Sequence, residues 1–204
     1  MRRCVTGFVI PALIALAAAT DMAAQATGTP TYNAPYRAFT RSEFGVMLSF
    51  PPGGGIAPEG IYRIASGRFD IGFKVGFHDP EAAGADAIIL AGVEARQRVI
   101  THNVDFPLDG ALVLGVGAQF QSGNSELIVP VGLSLGRRLN PQGSTVSIVP
   151  YLQPTLFLLA GNGSEVAFSL GLGADFRFTP RFDGRLSAGL GDLEGVSIGF
   201  VWVH

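Results

Sequence analysis

The chain has 204 residues; 48% are hydrophobic and only 15% charged, with 28 Gly, 15 Phe and a single Cys. Soluble domains carry about 25% charged residues and about 7% Gly, so charge is scarce here and glycine roughly doubled. That hydrophobicity excludes a disordered chain. A formal charge of −2, with no Lys/Arg block, argues against a nucleic-acid partner.

Residues 1–26 read as a secretory signal peptide. Arg2 and Arg3 open it, Phe8 to Ala19 form an apolar run, and Ala24-Gln25-Ala26 offers a small-x-small site for cleavage before Thr27. A membrane-spanning helix needs about 20 apolar residues. This run is shorter, contains Pro11 and is closed by Asp21. Cys4 precedes the apolar run, which disfavours a lipoprotein. Cleavage would leave no thiol, disulfide or cysteine metal site.

Beyond that point the pattern has period two, the mark of β-strands. Turn clusters such as Pro51 to Gly55, Ser66-Gly67, Gly123-Asn124-Ser125 and Thr179-Pro180-Arg181 divide the chain. Between them lie strands predicted at 41–50, 59–65, 67–78, 86–100, 108–122, 126–138, 144–160, 164–179, 181–191 and 195–204. Fusing the second and third would give nine, and bacterial single-chain barrels have even strand numbers. Ten is the preferred count, with eight as the alternative.

The partition between strand faces indicates what surrounds them. In 68–78, Phe69, Ile71, Phe73, Val75 and Phe77 share one face; Asp70, Gly72, Lys74, Gly76 and His78 share the other. In 164–179, Val166, Phe168, Leu170, Leu172, Phe176 and Phe178 oppose Glu165, Ser169, Gly171, Gly173, Asp175 and Arg177. Charges fall on the glycine side. A water-facing sheet would carry Lys, Glu and Thr there, whereas Gly, Ser and Gln suit a confined polar interior. The greasy face then meets lipid, and the fold expected is an all-β, antiparallel up-and-down transmembrane barrel.

Register can be read across the tight turn at Thr179-Pro180-Arg181. Facing residues point to the same side of an antiparallel pair. Phe178 then stands opposite Phe182, Arg177 opposite Asp183 and Asp175 opposite Arg185. A similar register across 80–84 puts Asp70 near Arg96 and Lys74 near Glu94. Unpaired charge is costly in a narrow lumen, so these eight residues are expected to brace it as ion pairs. Phe50, Phe178, Phe182, Phe200 and Trp202, near strand ends, are the expected interfacial aromatic girdle.

With signal peptide, alternating strands and short turns, the chain resembles the small outer-membrane β-barrel proteins of bacteria, broadly the OmpA/OmpX/OmpW-like group. Ser197, Gly199 and Trp202 match the spacing of the C-terminal signal read in such proteins by the barrel-assembly machinery; His204 departs from the usual final Phe. The resemblance implies an outer-membrane location after export through the inner membrane. It also implies outer-membrane lipid, lipopolysaccharide and the assembly machinery as partners. Residues 27–40 are then a short periplasmic segment and residues 41–204 the barrel.

Little in the sequence carries chemistry. Gly115-Val116-Gly117 and Gly171-Leu172-Gly173 alternate inside strands and lack the strand–turn–helix context of a nucleotide site. His78, His102 and His204 lack metal-ligand spacing, so no metal and no cofactor is expected. His78 with Ser122 or Ser164 at the rim is the one arrangement that could support a lipid-modifying enzyme. The leading expectation is a non-enzymatic barrel with a structural or surface-interaction role. Porin-like passage of a small solute or hydrophobic molecule is the alternative.

Overall fold

The computed structural model describes residues 25–35, 41–82, 84–161 and 163–204. Apart from Gln25 and Ala26, the expected signal peptide lies outside the described residues. The strands are β1 (Glu43–Phe50), β2 (Ala57–Ser66), β3 (Phe69–His78), β4 (Ile88–Ile100) and β5 (Asp109–Gln121). They continue as β6 (Asn124–Gly136), β7 (Ser147–Ala160), β8 (Ser164–Thr179), β9 (Phe182–Gly191) and β10 (Gly195–Val203). Every strand pairs antiparallel with its chain neighbours, and β1 pairs with β10 to close the barrel. The count is ten.

β1 begins and β10 finishes at one end, here called the terminal end, which also carries the connections 67–68, 101–108, 137–146 and 180–181. The far end carries 51–56, 79–87, 122–123, 161–163 and 192–194. Period-two alternation decides what each strand presents. Phe73, Val75, Leu172, Leu186 and Phe200 point out and are exposed, while Asp70, Lys74, Ser169, Asp175 and Arg185 point in and are buried. This outward apolar surface, wrapped round a closed ladder, is what a membrane-spanning barrel requires.

Prolines interrupt the ladder on both sides of β6. The β5–β6 pairing skips Val129 and Pro130, and the β6–β7 pairing skips Gln153 and Pro154. Proline has no N–H to give a neighbouring strand.

The inner face departs from the expected polarity in one sector. On β7 it carries Val149, Tyr151, Phe157 and Leu159; with Ile128, Ala167 and Leu193 these form a buried apolar cluster. The larger departure concerns the N-terminus. Residues 27–40 read as a periplasmic segment, yet residues 25–35 lie inside the barrel, nearly all fully buried. Lumen glycines explain how it fits. Ala26 packs on the backbone of Gly92 and Gly117, and the Tyr32 ring packs on Gly171. A Cβ at Gly117 or Gly171 would collide with the segment.

Candidate functional site

The site is the occupied lumen. Its first component is a chain of buried ion pairs on β1–β4 and β8–β9. Asp70 faces Arg96 across the β3–β4 ladder, and Arg96 Nη2 lies 3.2 Å from Asp70 Oδ2. Lys74 Nζ is 3.8 Å from Glu94 Oε2. Asp175 faces Arg185, with Arg185 Nε 3.4 Å from Asp175 Oδ2. Arg177 faces Asp183, and Arg177 Nε is 3.9 Å from Asp183 Oδ1. The ladder then shifts by one, so that Thr179, not Phe178, stands opposite Phe182.

Two members of the network went unread in the sequence. Arg63 on β2 reaches three carboxylates: Asp70 at 2.5 Å, Glu94 at 2.9 Å and Glu43 at 3.8 Å. Glu43 on β1 also accepts from Arg185 Nη2 at 2.8 Å. Both residues lie on strands whose alternation is weak, so only inward parity hinted at them. A charge taken out of water costs several kcal/mol unless paired and hydrogen-bonded. Arg63 and Arg185 each serve more than one acid, and through them Lys74, Glu94, Asp70, Arg96, Glu43 and Asp175 join in one continuous band.

The second component is the internal segment 25–35. Thr29 Oγ1 donates to Glu59 at 2.5 Å, and Arg185 Nη1 donates to Asn33 Oδ1 at 3.1 Å. Tyr32 OH lies 2.7 Å from Ser169 Oγ, with its ring in the apolar cluster. Pro35 sits beside Gly136 at the terminal end, while Pro30 approaches Gly195 at the far end. Gly28 N–H donates to Gln25 O at 2.8 Å, turning the chain back on itself within the lumen. Nothing local in the run Thr27 to Pro35 signals a buried segment; its partners lie up to 157 residues away.

Above the segment, at the far end, a cavity of about 480 Å³ opens between β4 and β8. Ile88 and Leu159 provide its apolar lining, and Gln119, Gln121, Glu126 and Glu165 its polar one. At the terminal end Asp109 clips the 101–108 connection, accepting from His102 N–H at 3.1 Å and from Arg98 Nη2 at 3.2 Å.

Four of the aromatic candidates gather outside the terminal end. Phe182 stacks on Phe200 at 5.5 Å and meets Trp202 edge-on at 6.0 Å and Phe178 at 6.2 Å. Phe50 stands apart at the far end of β1. In the last strand, Ser197 Oγ points in and bonds Ser49 Oγ at 2.6 Å, and Gly199 packs against Met47. His204 follows β10, donating its N–H to Ser42 O at 2.9 Å and stacking its ring on Tyr62. The His78 ring bonds Gly54 O at 3.2 Å, which ties it to the 51–56 connection. Ser122 and Ser164 sit on other hairpins.

No family model matches the chain, and no curated protein matches it. Among solved structures it is similar to the β domain of the Bordetella autotransporter BrkA, at 11% identity and a TM-score of 0.50, covering 80% of this chain and 99% of that one. It is also similar to a de novo designed transmembrane β-barrel, at 13% identity and a TM-score of 0.40, covering 81% of this chain and 97% of that one. At these identities the likeness concerns the fold, that of a transmembrane β-barrel.

Proposed function

We propose that the protein is an integral bacterial outer-membrane β-barrel that its own N-terminal segment keeps closed, with a structural or surface-interaction role. The observation carrying this reading is the segment 25–35, which fills the lumen and is hydrogen-bonded to side chains from β2 to β9. The apolar outer face supports insertion into lipid, with lipid and lipopolysaccharide as its surroundings. The C-terminal strand, with Ser197, Gly199 and Trp202, supports handling by the barrel-assembly machinery. No catalytic residue is assigned: the contact made by His78 serves a loop.

The porin-like alternative draws on the open cavity at the far end. Residues 25–35 are buried inside the barrel, so on this reading passage would require the segment to leave.

The test is single-channel recording on the purified chain in planar bilayers, with membrane fractionation and gel heat-modifiability as checks on insertion. The expected result is a heat-modifiable membrane protein with no steady conductance. Steady conductance from the intact chain would overturn closure, and a soluble chain without a mobility shift would overturn the membrane reading.

A further inference from the structure

Five consecutive main-chain carbonyls of the internal segment, Pro30 to Ala34, each accept a hydrogen bond from a lumen side chain. The donors are Ser187 to Pro30 O at 2.7 Å, Lys74 to Thr31 O at 3.1 Å, Tyr151 to Tyr32 O at 2.8 Å, Ser134 to Asn33 O at 2.8 Å and Arg96 to Ala34 O at 3.0 Å. Gln119 reaches Thr27 O at 3.3 Å. These six donors come from six different strands.

A closed ladder has no free edge, so an inserted chain cannot be held as an added strand. Side chains must take over, and here they converge on the one group that every residue of a polypeptide shares. Side-chain selection is concentrated at Thr29, held by Glu59, at Thr31, whose Oγ1 accepts from Lys74, at Tyr32, seated on Gly171 and bonded to Ser169, and at Asn33, held by Arg185. No residue of 25–35 belongs to a barrel ladder, so its departure breaks no strand pairing.

We propose that the lumen is a polypeptide-binding channel. Its ligand class is an extended peptide with an aromatic hydroxyl at the place of Tyr32, gripped mainly by its backbone. Residues 27–35, which remain after the expected cleavage before Thr27 and carry all six of these carbonyls, occupy it in cis and are exchangeable for a peptide in trans. This rests on the reading of a self-closed barrel.

The experiment uses the full chain with a protease site introduced within residues 36–40, cut after folding, or before refolding if the folded chain resists. A fluorescein-labelled synthetic peptide of residues 27–35 is then added in excess and followed by anisotropy and gel filtration. Saturable uptake at one peptide per barrel is expected, competed by unlabelled peptide. A peptide keeping only Thr29, Thr31, Tyr32 and Asn33 among alanines should still bind, while Tyr32→Ala in the peptide should weaken binding by about tenfold or more. Ser134→Ala in the barrel, which removes one carbonyl donor, should weaken it by about threefold to tenfold.

A folded, cut barrel that takes up no peptide, binds it without competition, or refolds neither with nor without it overturns the proposal. The two readings fail separately. Conductance from the uncut chain counts against closure, whereas a closed uncut chain whose cut form ignores the peptide counts against the channel alone.

Discussion

The ring of Tyr32 rests on Gly171, so close that a Cβ on residue 171 would fall inside it. The contact joins the internal segment to the wall of β8 at a position where any side chain competes with the segment for the same space. Gly171→Ala should therefore loosen or expel the segment. Overpacking of this kind costs about 1–3 kcal/mol. The barrel's own ladder does not involve the ring, so heat-modifiability should persist while bilayer recordings begin to show openings. A variant as silent as the parent would contradict this role for the contact.

Asp70 is wholly buried between Arg63 and Arg96. Asp70→Ala leaves two guanidinium groups short of a partner in a closed space, and removing one member of a buried pair costs about 3–5 kcal/mol. Arg98→Ala offers the contrast. Arg98 is partly exposed, and Asp109 keeps its bonds from His102. Its loss should cost less than about 1 kcal/mol, in line with exposed pairs. Denaturant unfolding followed by the gel mobility shift should rank the two variants in that order.

Leu172 lies on the outer face of β8 and pairs with Leu152 and Ala188. In lipid, Leu172→Arg should destabilise the barrel by about 2–4 kcal/mol if the residue sits near the bilayer midplane. In water the same change would be nearly neutral. Denaturant unfolding of the parent and the variant from lipid vesicles reads the difference, and a loss near zero would mean that Leu172 does not face hydrocarbon.

Trp202 and Phe200 pack around Phe182 outside the terminal end. Trp202→Ala should slow assembly in membranes containing the assembly machinery more than it lowers equilibrium stability. Pulse-chase folding assays on cells read the first, and detergent unfolding reads the second. Equal losses in both would assign Trp202 to packing alone.

Most of the wall was legible because its signals are local. Alternation placed ten strands within a few residues, and the tight turn at 180–181 was short enough for parity to put Asp175 across from Arg185. Parity also put Asp70 across from Arg96. What escaped depends on contacts between distant parts of the chain. Arg63 meets Glu94 across an intervening strand, which pairwise register does not describe. The surplus glycine suggested space in the lumen, but the occupant is a run of Thr, Pro, Tyr and Asn with no period to betray it. The inward apolar face of β7 was hidden because that strand is apolar on both sides.

Glu43 has one further consequence. Its arginine partners come from opposite sides of the β1–β10 seam: Arg63 from β2 and Arg185 from β9. While the seam is open, Arg185 lacks this carboxylate, and joining the strands completes the band. The seam thus acts as an electrostatic latch: closing the ladder and neutralising the interior become a single cooperative event, which disfavours a half-open barrel relative to both the open sheet and the finished ring.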